Sequence, residues 1–280
     1  MLCTTSPPSS PTVLLQLSRS SPSSSSYNEA INLSSRGNHL ASRRLLSKIT
    51  ADEPSFVGAH ALLGNDLTAL GDLDSALDEY TTTINLCEAA GSGKCKDLWL
   101  DYVNRGAVLN NLNSPERALS DLNEAARLRA RPELTILSNR ARAKENQGDF
   151  IGADADYTIA MGLNGEVAPF WLRAALAKFE VGECIGETLS RVEGRFPDAP
   201  EVVVLRAILQ AEKLGDEKGK EKFGKLPESQ KRLFSDEKYV KEKIGWGPNL
   251  PVPVFAVSNK SATHSKTLLE FRIARPRLNG

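Results

Sequence analysis

One spacing constrains this chain more than any other feature. Gly37, Gly71, Asn113, Gly148, Gly182 and Gly215 follow one another at intervals of 34, 42, 35, 34 and 33 residues. Around them the same residue types return. Seven positions before the pivot stand Ala30, Gly64, Gly106, Ala141 and Ala175, with Ile208 as a departure. Five positions after it stand Ser42, Ala76, Ala118 and Ala153, and nine after it Leu46, Tyr80, Leu122 and Tyr157. In the stretch from Val57 to Leu86, VGAHALLGNDLTALGDLDSALDEYTTTINL, apolar residues recur at steps of three and four on both sides of Gly71. Such steps line one face of a helix. Gly71-Asp72 between the two stripes argues a tight turn. Short side chains on either side let two helix backbones come close. The unit is therefore a helical hairpin that cannot bury its apolar face alone and has to stack on its neighbours.

A 34-residue period of helix-turn-helix units resembles the tetratricopeptide repeat. The resemblance is carried best by the units pivoting on Gly71, Asn113 and Gly148, and it fades after Gly182 and Gly215, where Glu187 and Lys220 replace the small residue. It implies an all-α fold: a right-handed α-solenoid of five to six hairpins over residues 23–245, with an insertion near 87–98. Residues 1–22 and 246–280 are expected to be disordered tails. The inner wall of such a solenoid is built by the first helix of each unit, and in proteins of this kind it binds an extended peptide or a partner's helix. Asn65, Asn104, Asn139, Arg142 and Arg173 fall on that wall and are the candidate partner-binding residues. An asparagine amide both donates and accepts, so it can hold a peptide backbone without reading side chains.

Two other functions for such a groove are weighed against the residues. A well-known subclass of the repeat grips the carboxylate tail of heat-shock chaperones with lysines, arginines and asparagines. Asn65 and Asn104 fit that pattern, but Ala61, Thr135 and Asn139 stand where its cations belong, and in the next register Val103, Ala107 and Pro169 do not fit. Without cations the charge-assisted bonds to a carboxylate are lost. An RNA-binding helical repeat would need a basic wall with stacking aromatics, which Gly58, Ala61, Asn104, Asn139 and Glu145 do not supply.

Composition agrees with a helical repeat protein. The 280 residues carry 35 basic and 35 acidic side chains, so no global charge draws the chain to nucleic acid or anionic membrane. No apolar run approaches the roughly 18 residues of a spanning helix, so any membrane association would come through a partner. The first 26 residues are Ser-rich, contain Pro7, Pro8, Pro11 and Pro22, and precede the first acid, Glu29. That composition resembles an organellar transit peptide, chloroplast rather than mitochondrial because Arg19 is its one basic residue. Chloroplast location, in stroma or at the thylakoid, follows as an expectation, with the cytoplasm as the alternative; plastid proteins resembling this one often assist assembly of photosynthetic complexes. The run from Glu217 to Lys243 is alternately charged and reads as a solvated helix pair that caps the stack. Beyond Trp246, WGPNLPVPVF reads as extended or turn, and residues 256–280 as an unpatterned, weakly basic tail.

No catalytic constellation, cofactor motif or metal site is legible, and the expectation is a non-enzymatic scaffold. The only histidines are His39, His60 and His264; His60 lies inside a packed helix and reads as structural. The pairs Asp72/Asp74 and Asp154/Asp156 fall beside helix starts, where they favour the helix dipole. GSGK at 91–94 lacks the remainder of a phosphate-binding loop. Cys87 and Cys95 flank that loop; a disulfide between them is sterically conceivable, but two reduced thiols are the expected state, and the spacing suits no zinc site.

Overall fold

The computed structural model describes residues 22–91, 95–164, 168–182, 186–197, 199–213, 221, 224–240, 252–255 and 269–272. Residues 1–21 of the Ser-rich leader, Gly215 and Lys220 lie outside the described residues, as does the side chain of Ile208, whereas residues 22–26 of that leader open the first helix. The chain divides into two compact bodies, one ending at Asp149 and the other beginning at Phe150.

The first body contains α1 (Pro22–Ser35), α2 (His39–Asp52), α3 (Val57–Leu70), α4 (Leu73–Ala90), α5 (Leu98–Asn111), α6 (Pro115–Arg129) and α7 (Leu134–Asn146). Each helix packs on the next in sequence. The pivots are the turns. Gly37, Gly71, Asn113 and Gly148 have φ of +78°, +80°, +53° and +79°, a left-handed backbone that glycine and asparagine accept most readily. At Gly71 the amide of Asp72 reaches back to the Leu67 carbonyl at 2.9 Å, closing α3, and the Asp72 carboxylate then caps α4 by accepting from the Ser75 amide at 3.4 Å. Asn38 caps α2 in the same way through the Ala41 amide. Pro115 opens α6, in a first turn that needs no amide donor from it, and Ser114 before it makes no side-chain cap bond.

The small residues lie where hairpin arms cross. Ala30, Ala76, Ala118 and Ala141 have no solvent exposure. A Cβ added to Gly64 would lie 2.8 Å from the Tyr80 ring, and one added to Gly106 would lie 2.9 Å from Leu122 Cγ. Backbones this close exclude larger side chains, and the large residue nine places after each pivot fills the space beside them: Leu46, Tyr80 and Leu122 are all buried. Each such side chain contributes about 1.5–3 kcal/mol through burial. Polar ties lock hairpin arms to each other and to the next hairpin. The fully buried Asp66 accepts from Ser34 Oγ at 2.6 Å and lies 2.7 Å from His39 Nδ1. Arg105 donates through Nε and Nη2 to both oxygens of Asp121, each at 2.8 Å. His60 is structural: its ring bridges Glu79 at 2.6 Å and the Pro54 carbonyl at 3.0 Å.

The second body contains α8 (Phe150–Leu163), α9 (Ala168–Glu180), α10 (Gly186–Arg195), α11 (Pro200–Lys213) and α12 (Glu228–Phe234), followed by a helical turn at Glu237–Tyr239. Ala153, Tyr157 and Ala175 are buried, and Gly182 has φ +77°, so the repeat marks hold this far. Beyond it the core is made of Leu172, Leu176, Leu189, Val192, Val202, Leu205 and Phe234. Glu187, the departure from the repeat, is exposed and pairs with Arg191 at 2.6 Å.

One expectation is corrected. Cys87 and Cys95 form a disulfide, with Cα atoms 5.7 Å apart, instead of standing as reduced thiols. Helix α4 runs past Cys87 to Ala90, and Cys95 lies just before the start of α5 at Leu98. In the terminal segment, of which 246–251, 256–268 and 273–280 lie outside the described residues, Val252–Phe255 (β1) pairs antiparallel with Leu269–Arg272 (β2), Val252 opposite Arg272 and Phe255 opposite Leu269. Valine and aromatic residues favour strands, and a two-stranded ribbon tolerates Pro253, which lacks a ladder donor. Apart from this ribbon, every regular element among the described residues is helical.

Candidate functional site

Within the first body, α1 touches α3, α3 touches α5 and α5 touches α7, whereas the second helices of successive hairpins meet one another at most glancingly. The first helices are thus the closer-spaced layer, and their outward side is the candidate recognition wall.

On that wall Asn65 of α3 and Asn104 of α5 come together. Asn104 Nδ2 donates to Asn65 Oδ1 at 3.3 Å. Tyr80, reaching through from α4, donates its hydroxyl to the same oxygen at 2.8 Å, with Thr68 Oγ1 3.4 Å from that hydroxyl. Burial raises the Tyr80 pKa well above the ordinary phenol value, so the hydroxyl stays protonated and donates. This fixes both amides. Asn65 Oδ1 is filled twice, while Asn65 Nδ2 and Asn104 Oδ1 remain as one donor and one acceptor side by side. Asn65 is exposed and Asn104 half-buried.

Asn139 does not join them. Its Nδ2 donates to the Thr135 carbonyl of its own helix at 2.8 Å, and its backbone carbonyl accepts from Asn110 Nδ2 at 2.9 Å. A free wall amide was the expectation; the local carbonyl four residues back is the nearer partner and takes it. Arg142 lies one turn beyond Asn139 on α7 and is half-buried. Arg173 is half-buried on α9, in the second body.

Asp101 is a wall residue that the sequence reading missed. It stands three residues before Asn104, hence on the same face of α5. Its carboxyl is half-buried and makes no hydrogen bond or ion pair among the described residues. Burial, with a smaller contribution from the Asp97 charge, pushes its pKa up to about 7. Its charge adds a small upward push to the Tyr80 pKa, after burial. The spacing Asp101-x-x-Asn104 was the available signal. Cations close by are committed elsewhere, Arg105 to Asp121 and to Thr81 Oγ1. Among the described residues no group of three or more His, Cys, Asp or Glu side chains is placed to hold a metal ion, and no helix is long and apolar enough to cross a membrane.

No family model and no curated protein sequence matches the chain. Solved structures do. YrrB, described as a TPR protein with an unusual peptide-binding site, aligns with a TM-score of 0.55 at 20% identity, over 68% of this chain and 91% of that one. PilF of Pseudomonas aeruginosa aligns with a TM-score of 0.59 at 18% identity, over 79% of this chain and 95% of that one. MamA of Desulfovibrio magneticus aligns with a TM-score of 0.58 at 16% identity, over 65% of this chain and all of that one. At these identities the likeness carries the fold.

Proposed function

From a chain that folds as a tetratricopeptide-repeat protein, we propose a non-enzymatic scaffold that holds an extended peptide or helix of a partner protein against the wall formed by its first helices. The observation that carries this reading is the Asn65–Asn104 pair. Asn65, fixed by Tyr80, and Asn104, fixed by Asn65, leave one donor and one acceptor side by side, the complement of a peptide unit in an extended strand. The described peptide site of YrrB, a protein similar in fold, supports the same use of the repeat. The place of action in this reading is the chloroplast, with assistance to assembly of photosynthetic complexes as the role; the Ser-rich, acid-free stretch before Glu29 supports it.

The test begins with partners that co-purify with the tagged protein from chloroplasts, followed by mapping of the bound segment as a synthetic peptide. The double substitution Asn65→Ala with Asn104→Ala is expected to weaken that peptide roughly ten- to a hundredfold, since each neutral bond contributes about 0.5–1.5 kcal/mol. Helicity should be retained, because Asn65 and Asn104 lie at the surface of the stack. Full affinity in the double variant would move recognition off this wall. A fusion of the first 60 or so residues to a fluorescent protein should enter plastids; a uniform cytosolic signal would remove the chloroplast part of the reading.

A further inference from the structure

We infer that the peptide held by this wall presents a lysine or arginine whose cation docks on Asp101, while Asn65 and Asn104 hold the backbone beside it. The inference rests on the wall being a peptide site and adds the chemistry of what it selects.

Three observations lead to it. First, Asp101 is without a partner where its neighbours are satisfied. Asp121 is held by Arg105, Glu88 accepts from the Tyr102 hydroxyl at 2.5 Å, and Asp66 is bonded to Ser34 and His39. Among the described residues no basic side chain is paired with Asp101, and its oxygens are not sealed from solvent. Second, the carboxyl occupies the first turn of α5, where the helix dipole favours an anion. Its ionised form is nevertheless disfavoured, because burial and the like charge of Asp97 outweigh that dipole. An arriving cation removes this cost and gains a charge-assisted bond. Third, the carboxyl lies on the same helix face as Asn104, so a backbone seated on the two amides brings a neighbouring side chain to it. A ligand ending in a carboxylate would meet repulsion at the same place.

The experiment uses the full chain and a random library of N-acetylated nine-residue peptides on beads, which offer no free α-amine. The enriched peptides are expected to share lysine or arginine at one position. Replacing that residue by norleucine should weaken binding to the wild-type protein tenfold or more, and Asp101→Asn should weaken the cationic peptide by a similar factor while leaving the norleucine peptide unchanged. Because the norleucine arm uses the unaltered protein, the result does not depend on how well the variant folds. Enriched peptides without a shared cation, or a cationic peptide that binds Asp101→Asn at full affinity, overturn the inference. In that case the peptide-site reading still stands if Asn65→Ala with Asn104→Ala weakens the selected peptides. A library that yields no binder overturns both.

Discussion

The hairpins around Gly71 and Asn113 and the helices after Gly182 solve one packing problem in two ways. In the first, Gly64 against Tyr80 and Gly106 against Leu122 let backbones approach until an added Cβ would clash at 2.8 and 2.9 Å. In the second, α10 presents Gly186 and Gly194 to open space, exposes Glu187, and contributes Leu189 and Val192 to a core of branched aliphatics that ends on Phe234. Close crossing needs short residues at fixed places and so writes a periodic signature. Filling a core with leucine and valine needs only volume, and several sequences satisfy it. The repeat is therefore sharp in the first region and faint in the second, although both are built from helices.

The largest effect should come from overfilling a close crossing. Ala118 is fully buried between α5 and α6. Ala118→Leu should force the arms apart and destabilise by about 3 kcal/mol, read as a lower urea midpoint. An unchanged midpoint would mean that close approach is not what holds these hairpins, and the comparison would fail at its root.

A second effect separates the regions covalently. The Cys87–Cys95 bridge closes a short loop, eight residues in sequence separation, inside the first body. In the chain-entropy account such a loop contributes about 2.5 kcal/mol. Reduction, or Cys87→Ser with Cys95→Ser, should lower the urea midpoint of the first body and leave that of the second in place, as followed by hydrogen exchange of α5 and α11. Equal loss in both would show that the two bodies unfold as one unit.

These two cases also show what a sequence can disclose. The pivots were legible because a left-handed backbone and a close crossing are set by the residue itself: Gly71, Gly148, Ala76 and Ala118 each act at their own position. The disulfide was not legible, since it depends on how far α4 overruns Cys87. Nor was the pairing of Val252–Phe255 with Leu269–Arg272, a contact between distant segments that no local period announces. The candidate site was half legible. Asn65 and Asn104 were both assigned to the first-helix wall, yet they meet from different places in their units, one residue after Gly64 and two before Gly106. Asn139, nine residues before its pivot as Asn104 is before its own, turns its amide to the Thr135 carbonyl four residues back. Asp101 passed unnoticed because an acid near a helix start has an ordinary explanation; its burial is a property of the packed hairpins.

The smallest expected effect is the most discriminating, because it makes the same substitution in both regions. Gly106 and Gly194 are both helical, and neither has a positive φ. Replacing a helical glycine by alanine relieves the backbone entropy cost of folding, which favours the helix by roughly 0.5–1 kcal/mol wherever the methyl group has room. At Gly194 the space around the new Cβ is open, so Gly194→Ala should stabilise by about that amount. At Gly106 the same gain is opposed by Leu122 Cγ at 2.9 Å, with the Ala118 carbonyl oxygen at 3.4 Å behind it. Leucine can give by a few tenths of an ångström only by shifting in a core where it is itself fully buried, so the net result should be a loss of about 1 kcal/mol. Opposite signs in the two urea midpoints would confirm that the glycine at the crossing is there for its missing side chain. If Gly106→Ala instead stabilises to the same degree as Gly194→Ala, Leu122 yields freely, and the small residues mark the repeat without enforcing its geometry.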